Sequence, residues 1–256
     1  MLAQTFLRIA ALEALRPSSL LAAGGPWPTL AGDRVSDSRL DPFDHLAPES
    51  GSWPVLAVYT EDDDLTKIAQ HGPQFYKAAV DLVFELAVVQ RFQGAPGEGL
   101  IVDYADTDSA SEARLDVMRQ QIFHCLHEAP SGRLFRRLAK LPFDSWQSHA
   151  KRSGEEAIKI AGRTIVGRIA VRETCIDAAP ASALVDLDRL PAPLKEVAQE
   201  LSDTSTYYAE LTLGIARAAP VMPVRKPLSS VSMNIKPAVQ PDGEQPIDAS
   251  ADGLQT

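Results

Sequence analysis

In residues 2–16 the apolar positions Leu2, Phe6, Ile9, Ala10 and Leu12 share one face of a 3.6-residue repeat, and Pro17 ends the pattern. This spacing predicts an opening amphipathic helix. Residues 18–30, with Gly24, Gly25, Pro26 and Pro28, read as a loop. A short extended piece follows over residues 32–39, then a polar connection through Pro42, Pro48 and Gly51. Residues 53–60 form a continuous apolar run with β-branched Val55 and Val58, a strand signal that stops at Glu61, Asp62, Asp63 and Asp64.

Residues 75–92 fit two periods. Leu82, Phe84, Leu86 and Val88 alternate as in a strand, while Tyr76, Val80, Val83 and Ala87 also fit a helix. The valines and the glycine-rich turn at residues 94–99 favour the strand. Ser109 and Glu112 have the spacing of a capping box, so a helix should follow with Leu115, Met118, Ile122, Cys125 and Leu126 on its inner face. Pro130, Ser131 and Gly132 end it.

Leu134, Phe135, Leu138 and Leu141 predict a shorter helix stopped by Pro142, with Trp146 in a connection running to Gly154. Ile165, Gly167, Ile169 and Val171 alternate with Val166, Arg168, Ala170 and Arg172, the best half-buried strand in the chain. Leu194, Val197, Ala198 and Leu201 mark one helix, and Tyr208, Leu211 and Ile215 continue or restart it after Asp203. From Pro220 onward, prolines scattered among small and polar residues make a stretch that cannot bury a core and reads as an extended tail. The expected fold class is therefore α/β in the α+β sense: a small mixed or antiparallel sheet packed by amphipathic helices, with a proline-rich tail. The expected divisions are an α/β domain at 1–177, a helical extension at 178–219 and the tail at 220–256.

Composition changes the picture only in part. With 45% hydrophobic and 23% charged residues the chain should fold. A formal charge of -9 disfavours sequence-specific DNA binding, although a wall that repels a polyanion also lets it pass without holding it. Cys125 and Cys175 lie on different expected elements and suggest no disulfide framework, so a reducing cytoplasm is the default. No apolar run approaches the roughly 18 to 20 residues of a membrane span, and no signal-peptide core opens the chain.

Candidate chemistry is sparse. His124, Cys125 and His127 are close enough on one helix to approach a metal, but a zinc site needs three or four ligands and Cys125 falls on the apolar face. Glu61, Asp62, Asp63 and Asp64 offer hard oxygens, yet lack the ligand ladder and central glycine of an EF-hand. They read as a solvated turn after a strand or, in an oligomer, as an acidic ring or lumen. The glycine-rich turn has no following Lys-Ser/Thr, and Glu98 would oppose a phosphate. His45, His71 and His149 sit in separate expected connections with no nucleophile tied to them. Arg133, Arg136, Arg137, Lys140, Lys151 and Arg152 form the one basic concentration, either a solvated face or a surface for an acidic neighbour or phosphates. No catalytic residue, metal ligand or cofactor is expected.

The order of elements resembles the bacteriophage tail-terminator, or tail-completion, family. The likeness is carried by Leu7-Arg8-Ile9-Ala10-Ala11-Leu12-Glu13-Ala14-Leu15, by Val35-Ser36-Asp37-Ser38-Arg39 and by Trp53-Pro54-Val55-Leu56-Ala57-Val58-Tyr59-Thr60. It continues through Leu115-Asp116-Val117-Met118-Arg119-Gln120-Gln121-Ile122 and the Gly154-Glu155-Glu156 lead into the strand after Arg163. It spans roughly residues 2–175; residues 178–256 have no counterpart. The resemblance implies a non-enzymatic virion protein, made in the host cytoplasm. It would assemble as a hexameric ring at the head-proximal end of the tail tube, between tail tube protein and head-tail connector proteins, with DNA passing through unbound. The alternatives are a head-completion, neck or baseplate connector and, from another class, a cation-dependent hydrolase using Glu61, Asp62, Asp63 and Asp64 with histidine support.

Overall fold

A computed structural model describes residues 2–38, 51–67, 76–93, 100–104, 109–151, 162–171 and 186–218. The glycine-rich turn at 94–99, His45, His71, Arg152, Cys175 and the tail from residue 219 lie outside these residues.

The first helix, α1 (Leu2–Leu15), is the centre of the fold. Phe6, Ile9, Ala10 and Leu12 are buried as the period predicts, but Leu7, Ala11, Ala14 and Leu15 on the remaining sides are buried too. A helix apolar nearly all round belongs inside a layer of neighbours, so α1 is a core helix where the sequence suggested a one-sided one. Pro17 ends it, and residues 18–30 are not all loop. Ser18–Leu21 form a short helix, α2, whose first amide is taken by the Glu13 carboxylate, Ser18 N to Oε1 at 3.0 Å and Ser18 Oγ to Oε2 at 2.7 Å. Burial raises the Glu13 carboxyl above the ordinary range, while the Ser18 hydrogen bonds oppose the rise.

The sheet is mixed. Its order is β1 (Val35–Asp37), β2 (Gly51–Lys67), β3 (Tyr76–Gln93), β6 (Gly162–Val171) and β5 (Ala139–Lys151), with β4 (Leu100–Tyr104) pairing the far end of β3. Only β1 and β2 are parallel; the other pairings are antiparallel. The expected alternation holds in β3: Ala78, Val80, Leu82, Phe84, Leu86 and Val88 join the main core, level with Leu56 and Val58 of β2 and Ile165 and Ile169 of β6.

Four helices complete that layer: α3 (Ser109–His127), α4 (Arg133–Leu138), α5 (Leu194–Thr204) and α6 (Thr206–Ala218). The inner face of α3 is the expected Leu115, Met118, Ile122, Cys125 and Leu126, joined by Ser111. The buried residues of the opposite sheet face, Val55, Ala57, Ala79, Val83, Ala87, Val89 and Ala170, belong to no part of this core. The chain is thus an α+β protein in which α1 and α3 to α6 share one core with one side of a mixed sheet. No described helix is long and apolar enough to cross a membrane.

Two expectations are corrected on the strands. The acidic run is not a turn after a strand: β2 continues through Glu61, Asp62, Asp63 and Asp64 to Lys67. Thr60 pairs with Leu82 and Asp63 with Val80, so β2 spends one more residue than β3 here, a bulge. The second correction is β5. The helix before it stops at Leu138, so Leu141 and Pro142 are strand residues, and the expected connection around Trp146 is the sheet's last strand. Pro142 is tolerated because it falls between Lys140 and Ser145, where the ladder with β6 is interrupted and no amide is required.

Candidate functional site

Glu61, Asp62, Asp63 and Asp64 are all exposed on the distal half of β2. Asp64 is level with Ala79 of β3 and Ala170 of β6, on the sheet face away from the helices. There the Arg168 guanidinium pairs with Asp64 and donates from Nη1 to Asp81 Oδ1 at 2.9 Å, tying β2, β3 and β6 together. Burial opposes the charge on Arg168, but Asp81 and Asp64 outweigh it and hold its pKa above the ordinary arginine value. Tyr59, on the same face, is pushed up to about 12 by burial and by the charges of Glu85 and Glu61. The run therefore has one arginine at its end and three further carboxylates pointing to solvent. Among the described residues no group of three or more His, Cys, Asp or Glu is arranged to hold a metal ion.

The basic concentration is largely spoken for within the chain. Arg133 and Arg137 both pair with Glu200 of α5, and Arg136 donates to the carbonyls of Leu126 and Ala129 at 3.3 and 2.8 Å. The Arg133 hydrogen bond holds Glu200 below the ordinary glutamate range. These arginines fasten α4 to α5 and to the end of α3. Lys140 is exposed at the start of β5, away from the α4–α5 ion pairs, and Lys151 is the last residue of that strand.

The His124, Cys125 and His127 trio is likewise separated. His124 is exposed and faces Glu128, Nδ1 to Oε2 at 3.0 Å; Cys125 is buried, with its thiol pushed up to about 11 by burial. His127 stacks on Phe123 with ring centroids 4.0 Å apart and lies 5.3 Å from Phe143. Burial and the nearby Arg136 lower its pKa against the pull of Glu128. His149 is exposed on β5.

An open groove of about 470 Å³ lies between the α1–α2 corner, α4 and α5. Its carboxylates already have partners: Glu13 with Ser18, Glu200 with Arg133 and Arg137, and Asp203 with Gln199 Nε2 at 3.3 Å. Nothing there pairs a nucleophile with a base.

What sequence reasoning missed is the outer strand. Gln147, Ser148, His149 and Ala150 of β5 are each exposed, and consecutive residues point to opposite faces, so both faces of this half-strand are open. The signal available was Trp146, which packs against Phe84, Phe123 and Phe143 at 5.7, 5.6 and 4.8 Å, a large aromatic that must be buried. No family model matches the sequence, and no curated protein matches it.

Proposed function

We propose that this chain is a non-enzymatic structural subunit of a phage tail, a terminator-type ring at the head-proximal end of the tail tube. In this reading it ends tube growth and joins the tail to the head. The observation that carries the reading is the acidic half of β2. Four successive carboxylates stand exposed on the distal half of a long strand, and Asp64 is fastened by Arg168 of β6 instead of being gathered with its neighbours around a substrate or metal. Facing a central passage, such a surface repels the phosphate backbone and lets DNA move without specific binding.

The element order, with a buried first helix, a short parallel edge strand and a late arginine-bearing strand, supports the same reading. So does the use of His127, Arg133 and Arg136 in packing, hydrogen bonds and ion pairs within the chain. The neighbours in the neck of the virion would be tail tube protein on one side and head-tail connector proteins on the other, after assembly in the host cytoplasm. Closed cyclic symmetry is the ordinary form of such assemblies, and the expected ring has about six copies.

The test is native mass measurement and electron microscopy of the purified chain, followed by its addition to polymerising tail tube protein. Rings that halt tube elongation are expected. A chain that stays monomeric, leaves tube length unchanged and turns over a small molecule with a divalent cation would overturn the proposal.

A further inference from the structure

We propose that copies of this chain join edge to edge, the open half of β5 in one copy adding antiparallel to the acidic half of β2 in the next. This rests on the ring reading above and names the surfaces that make the ring.

Among the described residues, both edges of the sheet end in strand with no further partner. On one side β5 is the last strand, and from Ser145 to Ala150 it carries no proline, lysine, aspartate or glutamate. Those are the residues that blunt an exposed edge against pairing. The protective features of β5, Pro142 and the break in its ladder, lie in the other half of the strand. On the other side β1 covers only Leu56, Ala57 and Val58 of β2. From Thr60 to Lys67 the described residues give β2 a partner only in β3. Among the described residues, each edge therefore presents backbone donors and acceptors that another strand can satisfy.

Direction and charge then select the pairing. Because β2, β3, β6 and β5 are successively antiparallel, β5 runs opposite to β2. Placed beside the β2 of a neighbour in a continuing sheet, it forms an antiparallel ladder. Four carboxylates on the β2 edge oppose any pairing of that edge with itself, whereas the open half of β5 has no acid and ends on Lys151. Two different edges joined head to tail propagate from copy to copy and, where the rotation closes, generate a ring instead of a two-fold dimer.

The open halves also lie at opposite ends of the sheet. Asp64 is level with Lys140 through Ala79 and Ala170, while His149 is level with Ala57 through Thr164 and Glu85. Pairing them offsets each copy along the strand direction, the stagger that a sheet closing on itself requires.

The experiment is amide hydrogen exchange on the full chain at concentrations below and above assembly, with the Asp62→Lys/Asp63→Lys variant beside it. Expected are slowed exchange over residues 60–66 and 146–150 together on assembly, and association weakened about tenfold or more in the variant, from like charges set against the Lys151 end. The monomeric variant should keep its circular dichroism spectrum. Rings in which both segments exchange as fast as in the dilute chain would overturn the edge pairing and leave the ring reading standing. A dimer with only residues 146–150 protected would replace it by β5 pairing with itself. A chain that never associates would remove both.

Discussion

Arg168 of β6 reaches Asp81 on the adjacent β3 and Asp64 on the strand beyond, so one guanidinium spans the sheet at the level of the acidic run. Asp81 is the more enclosed partner, its side chain 18% exposed against 63% for Asp64. Removing the cation leaves two carboxylates of like sign on neighbouring strands. Arg168→Met should cost about 1–2 kcal/mol, the range of a charged hydrogen bond discounted for solvent. Asp81→Asn should recover part of that loss, and a double-mutant cycle in urea measures it. Equal stability of Arg168→Met and the parent would show that the triad holds nothing.

Two glycines are required by what lies over them. A Cβ on Gly132 would sit 2.1 Å from the Cys125 carbonyl oxygen, a backbone atom that only a shift of α3 can move. One on Gly167 would meet Phe143 and Trp146 ring carbons at 2.8 and 2.9 Å. Gly132→Ala should destabilise by about 3 kcal/mol and Gly167→Ala by about 1–2 kcal/mol, the range of forced overpacking. Chemical denaturation reads both, and the reverse ranking would contradict the packing.

His127 sets an acid-sensitive step. Its folded pKa lies below the ordinary value of about 6.5, so the unfolded chain binds that proton more readily. The contribution is fully present above that value and is lost as pH falls through the window beneath it. Unfolding midpoints should decline on acidification through this range, before the carboxylates titrate. His127→Leu should flatten the slope there, and an unchanged slope would place the sensitivity elsewhere.

Cys125 should be inert in the folded chain. With a thiol pKa of about 11 and an enclosed side chain, it offers little thiolate. At about pH 8 roughly one thiol in a thousand is ionised. Iodoacetamide labelling followed by peptide mass mapping should modify Cys125 only in denaturant, with Cys175 read as a separate peptide. Rapid labelling of Cys125 in the native protein would show that α3 opens.

The strongly periodic elements are legible in the amino-acid order. The first helix, the α3 face from Leu115 to Leu126, β6 and the two last helices follow from spacing, and β3 from its valines and the turn after it, where spacing alone fitted helix and strand equally. The misses have a common cause. β5 reads as a connection because Pro142, Asp144 and His149 break any period, yet its ladder partner β6 supplies the missing order. β4, with only five residues, carries no pattern to detect. The acidic run resembles a turn because four carboxylates have low strand propensity, and Arg168, far along the chain, is what lets the strand continue.

The sequence by itself determined the α+β class, the inner faces of the helices and the absence of any recognisable catalytic motif, since periodicity, capping and residue chemistry are local properties. Only the tertiary structure decided that α1 is buried nearly all round, that Glu200 claims Arg133 and Arg137, and that β5 and, beyond short β1, the distal half of β2 lie at the edges of the described sheet. Those outcomes depend on which strand or helix lies beside which. Long-range ladders, ion pairs and packing set that order, and none of them leaves a period in the chain.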